Sequence, residues 1–140
     1  MTPYRHVVQY YETDRMDLVH HANYIRWMEE ARVDFLAQIG FPYAEMEARG
    51  VLSPVRAVQC QYRRGCTFGD AVDVAVAVKA FNGVVLTIGY DMKNAATGDA
   101  LCTATSEHVF VNREGRLLRP ARDLPEFVRE IERQLKQGEA

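Results

Sequence analysis

The sequence predicts an α+β domain in which one long early helix is followed by an antiparallel meander of about five strands. Three observations carry that expectation. Apolar residues recur at helical spacing over residues 23–39, as Tyr24, Met28, Ala31, Phe35 and Ile39. Several β-rich runs follow residue 51, divided by turns that contain glycine. Asn82-Gly83 joins two of those runs, and this dipeptide favours a tight type I′ hairpin turn.

In order, residues 4–12 read as a first strand, with Val7 and Val8 between aromatics. Residues 13–22 form an irregular turn holding Asp14, Asp17 and the adjacent His20 and His21. Asn23 suits the N-cap of the long helix, because its side-chain oxygen can accept a backbone N–H of the first turn. Ile25 and Leu36 widen the apolar stripe, and Arg32 beside it is expected to find an interface partner or to extend outward. Gly40 fits the C′ position and Pro42 blocks continuation. Residues 44–49 are a short helical piece. Residues 51–64 form a strand with apolar residues on both faces, and the stretch GCTFGD at 65–70 is a turn. Strands follow over 71–81, 84–94 and 100–112. A terminal helix over 125–136 places Phe127, Ile131 and Leu135 on one stripe, with Pro125 in its first turn.

The chain has 140 residues, which is material for one domain and one core. The net charge of −2 gives no field that would favour nucleic acid. No apolar run is long enough to span a membrane, and the polar N-terminus does not resemble a signal peptide. The three cysteines lack CxxC spacing, which argues for reduced thiols and a cytoplasmic home and against a disulfide framework or zinc site.

The chemistry gathers where the long helix begins. Free N–H groups and the positive dipole end lie there, with Asp14 and His21 in the turn leading in. A carboxylate, an imidazole and backbone donors are the parts needed to hydrolyse an activated acyl group. The same residues also suit plain structural work, Asp14 as an Asx-turn residue and His21 as a helix-entry residue. A metal held by His20, His21, Asp14 and Asp17 is a lesser reading, since adjacent histidines usually point apart.

The motif YxETD, then HANY six residues on, then a long amphipathic helix, resembles the hotdog-fold acyl-CoA thioesterases of the 4-hydroxybenzoyl-CoA thioesterase-like family. The resemblance runs over about residues 4–120. It implies a hotdog fold, with an antiparallel sheet wrapped around the central helix. It implies that Asp14 is the catalytic carboxylate, as nucleophile or general base, with Tyr10 four residues earlier. His21 would give its backbone N–H to the thioester carbonyl, and some members also use its side chain. Asn23 and Tyr24 match the residues that open the helix. Two positions depart from the family pattern: Asp17 stands where glycine is usual, and Gly65 where Tyr62-x-x-Pro is usual before Asp70. Losing one oxyanion donor typically costs about 3 kcal/mol of barrier. Arg63 and Arg64, with Arg56 behind, are the cations best placed for the phosphates of CoA. Met16, Val19 and Tyr24 are candidate walls of the acyl pocket.

The expected protein is thus an acyl-CoA thioesterase without metal or organic cofactor, working as a homodimer or homotetramer, with acyl-CoA as substrate and no nucleic-acid partner. Two alternatives stay open: an acyl-CoA hydratase or dehydratase on the same fold, and a non-catalytic acyl-CoA-binding module.

Overall fold

A computed structural model describes residues 1–139. The elements run β1 (Tyr4–Val7), a single 3₁₀ turn (Tyr10–Glu12), α1 (Ala22–Gln38), α2 (Tyr43–Ala48), β2 (Val55–Tyr62), β3 (Ala71–Phe81), β4 (Leu86–Asn94), β5 (Ala100–His108), α3 (Pro120–Asp123) and α4 (Pro125–Glu139). The expected α+β class holds. The strands form one sheet in the order β1-β3-β4-β5-β2, so β1 and β2 lie at its edges. β1 pairs antiparallel with β3, Tyr4 opposite Val74 and Val7 opposite Ala71. No helix among the described residues is long and apolar enough to cross a membrane.

The chain divides into two compact units: residues 1–35, 59–76 and 90–104, and residues 36–58, 77–89 and 105–140. In the first, Tyr24, Trp27, Met28, Ala31 and Phe35 of α1 are buried, together with Val72 and Val74 of β3 and Leu101 and Cys102 of β5. The expected stripe is the buried face of α1, with Leu36 widening it as read and Trp27 added on its other flank. Trp27 is fully enclosed, whereas Ile25 is 43% exposed. Arg32 is buried, not extended: its guanidinium bonds the Glu29 carboxylate one helical turn back.

Two further expectations are corrected here. The first strand ends at Val7, and Tyr10–Glu12 turns as 3₁₀ instead. Gln9 N–H bonds the Glu12 carboxylate, as in one arm of a capping box, and Glu12 N–H bonds the Gln9 carbonyl, closing the 3₁₀ turn. Asn23 is not the N-cap. The helix starts at Ala22, whose N–H bonds His20 Nδ1 at 3.2 Å, while the buried Asn23 side chain donates to the Glu12 carbonyl at 3.0 Å.

In the second unit, Phe127 of α4 packs edge-on against Phe41 and Phe110, with centroids 5.1 and 5.3 Å apart. Ile131 is buried at the helical spacing expected, Leu135 of the same stripe is half-buried, and Leu124 before the helix and Gln134 are buried as well. Gly40, at φ +96°, closes α1 as a Schellman motif: Phe41 N–H bonds the Leu36 carbonyl and Gly40 N–H that of Ala37. The β3–β4 connection is not a type I′ turn. That turn needs positive φ at two successive residues, and only Gly83 has it. The Asn82 side-chain oxygen instead accepts the N–H groups of Val84 and Val85, making a longer Asx-capped loop.

β2 is an edge strand in which every residue except Cys60 is exposed. That is the structural form of its two mixed faces in the sequence.

The three cysteines are free thiols. Cys66 and Cys102 are buried, and Cys60 is half-buried with its sulfur 3.7 Å from the Met28 sulfur. Burial pushes the Cys66 thiol above its ordinary value, and burial with the neighbouring Cys60 pushes Cys102 up to about 12.

Candidate active site

The turn expected to carry the chemistry is a small hairpin. Glu12 and His20 form its base, with His20 N–H on the Glu12 carbonyl at 2.9 Å. Thr13 and Val19 pair as an antiparallel bridge. Asp14 N–H then bonds the Leu18 carbonyl at 2.8 Å, closing the loop. Asp14 Oδ1 accepts the Met16 N–H at 2.7 Å, so the carboxylate is pinned in an Asx turn through one oxygen. Among the described residues nothing takes Oδ2.

Asp17 has φ +62°, the one non-glycine in the left-handed region among the described residues. This is the position where the resembled family uses glycine, and aspartate tolerates that conformation better than most residues. The 65–70 loop holds the hairpin from outside. Val19 N–H bonds the Cys66 carbonyl at 2.9 Å, and the Thr67 hydroxyl bonds the Asp17 carbonyl at 2.6 Å. At the second departure, a Cβ on Gly65 would sit 3.0 Å from Leu18 Cδ2, a tight contact that the exposed Leu18 side chain would have to shift to admit.

Leu18, Val19, His21, Tyr24, Tyr62, Arg63, Arg64 and Gly65 line a cleft of about 240 Å³. Five of the residues singled out in the sequence therefore meet at one place: Val19, His21, Tyr24, Arg63 and Arg64. Asp14 adjoins it through its bond to Leu18. Three others do not line the cleft. Tyr10 is 77% exposed with its ring edge against Phe68, Met16 is 73% exposed, and Asn23 is buried behind the hairpin. Arg64 is already ion-paired with Asp99 at 2.8 Å, whereas Arg63 is exposed with no ion pair among the described residues.

The N–H groups at the helix start are mostly in use. Those of Ala22, Asn23 and Tyr24 bond His20 Nδ1, the His20 carbonyl and the His21 carbonyl. Among the described residues the His21 N–H has no acceptor. Its ring stacks on His20 with centroids 4.3 Å apart. Tyr62, matched to the family's strand-end motif but given no role at the site, donates its hydroxyl to the His21 carbonyl at 3.1 Å and packs edge-on against Tyr24. Burial, then the Cys66 thiol, pushes the Tyr24 phenol well above its usual value; burial and Cys60 push Tyr62 up to about 12. Both phenols are neutral near pH 7, so they can donate and accept but cannot serve as bases. No group of three His, Cys, Asp or Glu among the described residues could hold a metal ion.

The Thioesterase-like superfamily model matches residues 8–132. A Bacillus subtilis protein provisionally named acyl-CoA thioesterase YneP is 39% identical over 107 residues, covering 76% of this chain and 77% of its own. The 1,4-dihydroxy-2-naphthoyl-CoA hydrolase of Thermosynechococcus vestitus is 25% identical, covering 90% of this chain and 87% of its own. Among solved structures, the DHNA-CoA thioesterase of Staphylococcus aureus superposes with a TM-score of 0.89 at 26% identity, over 94% of this chain and 89% of its own. A cleft at a helix start, a pinned carboxylate beside it and this likeness over most of the length agree: the chain is a hotdog-fold enzyme that belongs to the thioesterase-like superfamily.

Proposed function

We propose that the protein hydrolyses an acyl-CoA thioester to the free acid and the CoA thiol, with Asp14 and the His21 N–H acting on the same carbonyl. One observation carries the reading. The free Oδ2 of Asp14 and the unused N–H of His21 are presented by one hairpin beside one cleft. The His21 N–H polarises the thioester carbonyl and holds the oxyanion as it develops. Asp14 either attacks the carbonyl carbon or takes a proton from the attacking water. The acyl–sulfur bond breaks and the thiolate leaves, taking a proton from solvent or the one Asp14 took from water; where Asp14 has attacked, a water then cleaves the acyl–Asp14 anhydride, releasing the acid and restoring the carboxylate. Arg63 is the cation free to meet the phosphates of CoA at the cleft.

Assembly belongs to the same reading. β2 offers an unpaired edge with Val55, Val58 and Tyr62 each more than a third exposed. Pairing β2 with a second copy satisfies that edge and covers those side chains. The functional unit is then a homodimer or homotetramer, each chain one domain, and light scattering at micromolar protein tests it. A fully active 16.0 kDa monomer overturns it.

Acetyl-, hexanoyl-, lauroyl- and benzoyl-CoA, followed with a thiol-reactive dye, test the reaction. Release of CoA thiol supports hydrolysis. A changed acyl chain without thiol release points to a hydratase, and binding without either points to a carrier. His21→Ala keeps the backbone donor, so it retains activity within about tenfold of the parent, short of losing one full oxyanion bond. A loss as deep as that of Asp14→Asn would move the imidazole into the chemistry.

A further inference from the structure

Behind the hairpin lies a buried carboxylate that the reaction itself does not use. Glu12 is 3% exposed. Its Oε1 accepts the Gln9 N–H at 2.8 Å and meets His6 Nε2 at 2.7 Å; its Oε2 accepts the Trp27 indole N–H at 2.7 Å. His6 lies flat enough on Trp27 to bring the ring centroids within 4.7 Å. On its other side, His6 Nδ1 meets Glu30 Oε2 at 3.1 Å, and the Tyr4 hydroxyl donates to that same oxygen at 3.0 Å. One side chain therefore joins β1, the 3₁₀ turn and α1.

The backbone of the same residue holds the active hairpin. The Glu12 carbonyl accepts both the His20 N–H and the Asn23 side-chain amide, at 2.9 and 3.0 Å. Asp14 is two residues beyond Glu12 on one strand of the hairpin, and His21 is one residue beyond His20 on the other. A shift or rotation of Glu12 moves the carboxylate and the oxyanion donor relative to each other.

Stability is a weak reason to keep such a group. A buried ion pair can often be replaced by an apolar cluster of equal volume at no cost, whereas removing one partner is strongly destabilising. What a fully bonded buried carboxylate does supply is a fixed direction for every group bonded to it. We propose that Glu12 is a positioning residue: held by His6, Gln9 and Trp27, it sets the geometry of the hairpin that carries Asp14 and His21, so that turnover, more than substrate affinity, depends on it. This rests on the reading of Asp14 and His21 given above.

Glu12→Gln tests it. The amide keeps the size but turns a donor toward partners that themselves donate. The expected result is a fall in kcat of about 100-fold with KM within about twofold, the signature of displaced reacting groups and not of lost binding. Hydrogen exchange should show protection lost at the Asp14 and His20 amides while that of β3 and β4 is kept. Trp27→Phe removes only the indole donor and serves if Glu12→Gln does not fold; it should give a smaller loss of the same kind. Glu30→Gln, which alters only the outer partner of His6, should keep parental kcat. Asp14→Asn is run beside them. If Asp14→Asn is inactive while Glu12→Gln and Trp27→Phe turn over like the parent, or lose only melting temperature, the positioning role is overturned and the site reading stands. If Asp14→Asn keeps parental kcat, the site reading fails. Exchange then decides alone: lost protection over 14–20 upholds the hold of Glu12 on the hairpin, and unchanged protection overturns it.

Discussion

The two compact units of the chain are built by different rules. In residues 36–58, 77–89 and 105–140 there is a ring cluster of Phe41, Phe110 and Phe127 together with a buried Ser106–His108 hydrogen bond, and the ion pairs, such as Arg56 with Glu107, lie in solvent. In residues 1–35, 59–76 and 90–104 the interior contains Glu12, Asn23 and Arg32, and the surface carries Tyr10, Tyr11, Met16 and Phe68 well exposed. Beside an apolar core of Trp27, Met28 and Phe35, some polar groups are inside and some large apolar ones outside. This unit also contains the left-handed Asp17. Both units bury polar groups, but only in the second do the buried carboxylate and amide bond the hairpin that carries Asp14 and His21, so there geometry at a site helps decide which residues stand where.

The sharpest way to break that contrast is a pair of substitutions, one in each unit. Asp14→Asn should lower kcat by at least about 100-fold, the lower range for a positioned acid–base group. Its urea midpoint should stay near the parent's, because the amide oxygen can still accept the Met16 N–H. Phe127→Ala should do the reverse, costing about 3–5 kcal/mol of stability while folded molecules keep parental kcat. Equal effects of the two on both measurements would erase the distinction between the units.

Next in size is the difference between two neighbouring arginines. Arg63 is free of ion pairs among the described residues and Arg64 is held by Asp99. Arg63→Ala should raise KM for CoA thioesters about tenfold, the value of one charge-assisted hydrogen bond to a phosphate. Thioesters of N-acetylcysteamine, which lack the phosphates, should show no change. Arg64→Ala should matter less; a larger effect than Arg63→Ala reverses the assignment.

The buried polar interior also predicts an acid limb. Burial works to raise the Glu12 carboxyl, but the N–H groups of Gln9, His6 and Trp27 outweigh it and hold it below its ordinary value of 4.5. A carboxyl lowered in the folded state stabilises fully above that ordinary value, and the contribution is lost as pH falls through the lower folded value. His6 faces Glu12, and Glu30 faces His6 on its other side. Denaturant unfolding below pH 4.5 should be steeper in pH for the parent than for Glu12→Gln. The smallest effect is expected at Asp17. A β-branched residue pays the left-handed penalty in full, so Asp17→Val should cost about 1–2 kcal/mol, whereas Asp17→Gly should change the melting temperature little.

How much of this was legible in the sequence follows the same division. α4 and the Gly40 cap are where the spacing placed them, because periodicity and a required positive φ are local signals. The stripe of helix α1 is legible in its spacing and faces inward, but Trp27 and Asn23 are not part of it, because bonds to Glu12 place them. Glu12 itself looks like any exposed strand residue until its partners on β1 and α1 are known. The HANY and YxETD motifs located the hairpin. They gave no sign of Tyr62, which arrives from an edge strand far along the chain. The type I′ turn failed because the Asn82 side chain offered two backbone donors a better acceptor than a tight turn could.

The three thiols have a practical consequence for any assay that counts released CoA with a colorimetric reagent. Alkylation and disulfide exchange need an accessible thiolate. Cys66 and Cys102 are enclosed and held in the thiol form, while Cys60 is only half-buried. The folded protein should contribute at most one equivalent of colour, developing slowly, and the unfolded chain three. The reagent that reports turnover thus also times unfolding, and a late rise toward three equivalents marks the age at which a preparation has ceased to be native.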